Sequence, residues 1–113
     1  MIKTENINGI FISSFEGINK LNALNSESVK EELKAIYKVP DVRLILDLKA
    51  ISFIDSSGFG VFLSLLKTAN SNSGHFRLCN LCKEVMELFK LLQLHNVFEI
   101  YNSREDALNS FDS

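Results

Sequence analysis

The chain has 113 residues, the length of one ordinary domain. It is 46% hydrophobic and 23% charged, which is enough apolar material for one core without a disulfide or metal staple. Acids and bases are mixed and the formal net charge is −2, which argues against nucleic acid or an anionic membrane as the main partner, because such binding needs a clustered basic field.

Ile2 to Ile7, Asn8-Gly9, then Ile10 to Phe15 read as a β-hairpin. Asn-Gly tolerates the positive φ that a tight type I′ turn demands at both central positions. Glu16 to Leu24 is a polar loop, and Asn25 or Ser26 opens a helix. Ser28 with Glu31 has capping-box spacing, while Val29, Leu33, Ile36 and Tyr37 share one helical face. Pro40 ends that helix. Val42 to Leu48 is a buried strand, and Ile51 to Ile54 a short apolar continuation. Phe59 to Asn70 is a helix apolar on nearly all sides, which suits a central position. Asn72-Ser73-Gly74 is a turn and His75 to Cys79 a strand. Asn80 is placed to cap a helix carrying Val85, Leu88, Phe89 and Leu92. Val97 to Tyr101 is a last strand. Ser103 with Asp106 caps a short final helix using Ala107, Leu108 and Phe111, and the tail from Asn109 to Ser113 is expected to fray.

The expected fold class is therefore α/β: one domain over 1–113, an N-terminal hairpin and then strictly alternating helices and strands. Such alternation implies a mixed sheet whose later strands are parallel, with about five strands and four helices. Functional residues of such sheets gather at the carboxyl ends of the strands, where helices begin. No apolar run approaches bilayer-spanning length, and Met1 to Asn6 has no signal-peptide core, so a soluble, cytoplasmic domain without membrane insertion is expected.

The stretch Ile54-Asp55-Ser56-Ser57-Gly58-Phe59-Gly60 occupies that carboxyl edge. Its plain reading is a helix cap: Asp55, Ser56 or Ser57 can each accept from an orphan amide, and Gly58 allows close backbone approach. Its sharper reading is a phosphorylation switch. A hydroxyl at a helix N-terminus faces unpaired N–H groups and the positive end of the dipole. A phosphate there adds about −1.5 to −2 charge and three acceptor oxygens without unfolding the helix.

Catalytic readings do less well. There is no Gly-x-Ser-x-Gly elbow, no third glycine of a dinucleotide fingerprint and no Walker lysine. The two histidines, His75 and His95, are not placed as a base for Ser56. Cys79-Asn80-Leu81-Cys82 runs from a strand end into a helix start, where a redox pair would sit, but the intervening residues are not thioredoxin-like and no proline follows it. Two reduced, partly buried cysteines are the plain alternative. A zinc site would need both distant histidines. No metal and no cofactor are expected.

Leu44 to Ala69, "LILDLKAISFIDSSGFGVFLSLLKTA", followed by the closing helix, strand and short helix of Leu78 to Leu108, resembles the STAS domain (sulfate transporter and anti-sigma factor antagonist), in particular its small stand-alone anti-sigma factor antagonists. The resemblance covers essentially the whole chain. It implies a binder and kinase substrate rather than an enzyme. Unmodified, such a protein binds an anti-sigma factor serine kinase with a histidine-kinase-like ATPase fold. The kinase phosphorylates the serine after the motif aspartate, here Ser56, and the complex dissociates; a phosphatase resets it. Asp55, Ser57 and Gly58 would belong to the docking surface. The family's Gly-Glu-apolar-Asp signature is absent from Phe15 to Ala23, where Asn19 stands in place of the acid. Asn keeps hydrogen-bonding capacity but not charge. The alternative is a constitutive STAS-type scaffold or accessory subunit of a transporter or stressosome-like assembly, without routine phosphorylation.

Overall fold

The computed structural model describes residues 1–112; Ser113 lies outside the described residues. Its elements are β1 (Ile2–Ile7), β2 (Ile10–Phe15), β3 (Lys20–Leu21), α1 (Ser26–Ile36), β4 (Arg43–Asp47), β5 (Phe53–Ile54), α2 (Ser56–Ser71), β6 (His75–Cys79), α3 (Lys83–Leu91), β7 (Glu99–Tyr101) and α4 (Arg104–Asn109). The main sheet has five strands in the order β1-β2-β4-β6-β7. β1 is antiparallel to β2, and every later neighbour is parallel. The hairpin turn takes positive φ at Asn8 (53°) and Gly9 (87°), as the Asn-Gly pair predicts.

Two layers cover the sheet. On one face α1, α2 and α3 bury Val29, Leu33, Phe59, Phe62, Leu65, Val85 and Phe89 against Phe15, Leu44, Leu46, Phe76 and Leu78. Its centre is aromatic: Phe59 meets Phe89 edge-on at 5.1 Å between centroids, and Phe62 meets Phe98 at 6.3 Å. The other face carries α4 alone, with Ala107 over Ile10, Ile12, Ile45 and Cys79.

The alternation of elements came out as the periodicity predicts, with five local corrections. The loop from Glu16 to Leu24 contains β3, which pairs in parallel with β5. The Ser28–Glu31 capping box does not form. α1 starts at Ser26, which places Ser28 inside the helix, and Asn25 is spent on the loop, donating through Nδ2 to the Lys20 carbonyl at 2.8 Å. α2 begins three residues earlier than its apolar run, at Ser56. Asn80 is not a cap; it sits at φ 59° and donates to Asp47 Oδ1 at 3.2 Å, and α3 begins only at Lys83. The last strand is confined to Glu99–Tyr101.

Ser103 caps α4 as its spacing predicts, accepting from the Asp106 amide at 3.0 Å. The segment after α4 is packed through Phe111, whose ring lies 3.8 Å from the Arg77 guanidinium. Arg104 closes the fold at the carboxyl edge. Its Nε donates to the buried Asp47 at 2.6 Å and its Nη1 to Glu5 at 2.9 Å. The hydrogen bond to Asp47 shifts the Arg104 guanidinium further toward its charged form.

Candidate functional site

Asp55 is extended at φ −96°, ψ −175° and caps α2, accepting from the Gly58 amide at 3.1 Å. Its own amide donates to the Leu21 carbonyl at 3.0 Å. Two of the orphan amides at the helix start are thus satisfied. The amides of Ser56 and Ser57 have no intramolecular acceptor among the described residues. Ser56 is exposed, at the first position of a 16-residue helix, and its hydroxyl makes no hydrogen bond among the described residues. The site therefore combines a free hydroxyl, two open N–H groups and the positive end of a helix dipole.

The small β3–β5 sheet builds the surroundings. Lys20 pairs with Phe53 and Leu21 with Ile54. One step earlier, the Asn19 carbonyl accepts from the Ser52 amide at 2.8 Å and the Ser52 hydroxyl at 3.2 Å. These bonds draw the exposed Asn19 to the segment that leads into Asp55. Asn19, Asp55, Ser56 and Ser57 thus belong to one region although Asn19 and Asp55 lie 36 positions apart in sequence.

Gly58 does not share that surface. It is buried, and a Cβ there would lie 2.6 Å from Ile54 Cγ2 and 2.9 Å from both Leu21 Cβ and the Leu21 carbonyl oxygen. Its lack of a side chain lets the helix start seat on β3 and β5. Ser57 is half-buried and turns to a groove of about 340 Å³ between α1 and α2, shared with Ala23, Ser26, Glu27 and Lys30. The Lys30 ammonium sits 3.0 Å from Glu27 there. The two adjacent hydroxyls therefore face different surroundings. Sequence reasoning missed Leu21 and Ser52, which hold the site together. Neither carries a local signal, because a two-residue strand is too short to show alternation.

The cysteine motif is not built for thiol chemistry. Cys79 would supply the attacking thiolate, yet it is fully buried, and burial followed by the neighbouring Asp47 charge pushes its thiol up to about 12. An aryl-disulfide reagent at pH 7 is expected to leave Cys79 unlabelled in the folded protein and to label it after unfolding in guanidinium. Stoichiometric native labelling of Cys79 would restore the redox reading. Among the described residues, no three His, Cys, Asp or Glu side chains gather as a metal would need, and no helix is long and apolar enough to cross a membrane.

Comparison with known proteins agrees with this architecture. The chain is 32% identical over 107 residues to BtrV of Bordetella bronchiseptica, provisionally named an anti-sigma factor antagonist, covering 95% of this chain and 90% of that one. It is 29% identical over 112 residues to an anti-sigma F factor antagonist of Paenibacillus polymyxa, covering 98% and 94%. In fold it matches a STAS domain protein of Planctomyces limnophilus with a TM-score of 0.88 over 99% of this chain and 98% of that one, at 18% identity. It also matches the phosphorylated form of SpoIIAA, a Bacillus cell-fate determinant, with a TM-score of 0.68 over 97% and 98%, at 18% identity. The sequence pattern of the STAS domain matches residues 1–107, and the chain belongs to the STAS domain family.

Proposed function

We propose that the protein is an anti-sigma factor antagonist that works by partner switching at Ser56. In the unmodified state the face around Ser56 binds an anti-sigma factor serine kinase of histidine-kinase-like ATPase fold. Within that complex the Ser56 hydroxyl attacks the γ-phosphoryl of ATP. The bond to the β-phosphate oxygen breaks, ADP leaves, and the hydroxyl proton passes to a base of the kinase. A phosphatase returns the hydroxyl by hydrolysis, releasing inorganic phosphate.

The observation that carries this reading is the exposed, unbonded Ser56 hydroxyl beside two open amides at the start of α2. The amides and dipole can hold a dianion without loss of helix. Asp55, half-buried and engaged at Gly58, adds like charge, so the modified surface turns strongly negative. Desolvating that charge inside an interface disfavours binding. Asn19 brings a neutral side chain rather than an acid to this region, and Asp55 and Ser57 flank the hydroxyl along the chain. Gly58 acts from beneath by seating the helix. The names of the relatives support the antagonist role, and a phosphorylated form is recorded for SpoIIAA.

The experiment is intact mass and peptide mapping of the protein purified from its host, with and without phosphatase. One phosphoryl group on Ser56, removed by the phosphatase, is expected, and the same modification should form with ATP and an anti-sigma kinase of the same genome. Phosphate on Ser57 only, or none under either condition, would favour a constitutive scaffold.

A further inference from the structure

Large apolar side chains left in water are informative when they gather at one place. Three of them lie on segments next to Ser56 in the fold: the turn between β3 and α1, β5, and α2. Leu24 is 95% exposed, Phe53 46% and Leu63 44%. Phe53 belongs to β5, directly before the Asp55 cap, and Ile54 beside it points into the core. Leu63 stands seven residues after Ser56 on α2, two helical turns along the same face. Leu24 follows Ala23, which shares the groove of Ser57.

Leu24 is held out rather than left loose. Its amide donates to Asn22 Oδ1 at 3.0 Å, and the Asn22 amide donates to Asn25 Oδ1 at 3.1 Å. The Ser26 hydroxyl donates to the Asn22 carbonyl at 2.5 Å, and the amides of Asn25 and Ser26 donate to that same carbonyl. With the Asn25 bond to Lys20, the turn is tied at both ends. A side chain on so braced a turn loses little backbone freedom on binding, which is where preorganised contacts gain affinity. Leucine is not among the commonest interface anchors; the case rests on its presentation and on its place beside the hydroxyl.

We propose that Leu24, flanked by Phe53 and Leu63, is the apolar anchor that seats in a pocket of the anti-sigma factor, supplying affinity while Ser56 supplies the switch. This rests on the reading given under Proposed function. The occupant follows from continuity with the Ser56 site: Phe53 lies directly before the Asp55 cap, Leu63 lies two turns beyond Ser56 on the same stripe of α2, and Leu24 lies three residues after Leu21, whose carbonyl holds the Asp55 amide, so a kinase that reaches the hydroxyl comes up against them. Leu91, 78% exposed, is a matched control, because α3 runs back from the carboxyl edge and ends at the opposite pole.

The test compares Leu24→Ala, Leu24→Asp and Leu91→Ala with the unmodified wild type. The readouts are calorimetric titration with the anti-sigma factor of the same genome, sedimentation of the protein alone and thermal melting. The melting temperature should hold in every variant. Affinity should fall at least ~10-fold in Leu24→Ala and further in Leu24→Asp, and stay unchanged in Leu91→Ala. Wild-type binding that Leu24→Ala leaves intact overturns the anchor and spares the switch. Loss of self-association with partner affinity intact assigns the tip to a second copy and also overturns it. No wild-type binding to any anti-sigma factor of the host overturns both readings.

Discussion

Ser56→Asp should bind the anti-sigma partner at least ~10-fold more weakly than wild type, a loss of about 1.4 kcal/mol or more, whereas Ser56→Ala should bind as wild type does and resist phosphorylation. The asymmetry follows from where the hydroxyl lies. Exposed and unbonded, it contributes nothing to the fold that alanine would remove. A carboxylate at the first position of α2 meets the positive end of the helix dipole, an interaction worth about 0.3–1 kcal/mol in favour of the fold. Binding is therefore expected to fall while the melting temperature holds or rises slightly. That combination separates a switched surface from a damaged protein. Equal affinity of Ser56→Asp and wild type, measured by calorimetry, would mean that charge at this hydroxyl does not control recognition.

Gly58→Ala should destabilise the fold, while Gly60→Ala, two residues along, should not. In the interior of a helix alanine is favoured over glycine by about 1 kcal/mol. At Gly60 nothing lies within 4 Å of the new Cβ, so that gain should be realised. At Gly58 the Cβ meets Ile54 and Leu21 at 2.6 to 2.9 Å, and one of the atoms is the Leu21 carbonyl oxygen. That oxygen accepts from the Asp55 amide and cannot retreat without loosening the cap. Overpacking of this kind costs about 1–3 kcal/mol. For a domain of this size each kcal/mol moves the melting temperature by roughly 4 °C. Gly58→Ala is therefore expected to melt about 4–12 °C below Gly60→Ala in a thermal scan. Two variants of equal stability would show that the helix start is free to shift off β3 and β5.

The periodic parts of this fold were readable in one dimension. Alternation and turn chemistry located the hairpin, and an apolar run located α2. Ser103 announced α4 because a serine three residues before an acid has one efficient local use. The parts that escaped depend on residues far away. β3 and β5 exist only because each completes the other across 33 positions. Asn80 looks like a cap until Asp47 arrives to take its amide. Within the candidate site, Asp55 and Ser56 were legible from their place between strand and helix. The start of α2 was read late because Ser56, Ser57 and Gly58 are poor helix formers, held in place by the Asp55 cap and the floor beneath Gly58. Exposure of Leu24 left no trace in the sequence, where it looks like one more apolar residue near a helix start.

The Arg104 bridge bears on how this chain can be made. Asp47 is buried in the middle of the sequence, and its countercharge is supplied by a residue near the far end that also grips Glu5 near the beginning. During synthesis the first strands and the central helix emerge long before that guanidinium does. Until then the carboxylate has only the neutral donors of the Lys49 amide and Asn80 Nδ2 and lacks its ion-pair partner, so the nascent segment has reason to stay open. Acquisition of the native state is thus expected to be abrupt, completed when α4 docks across the back of the sheet.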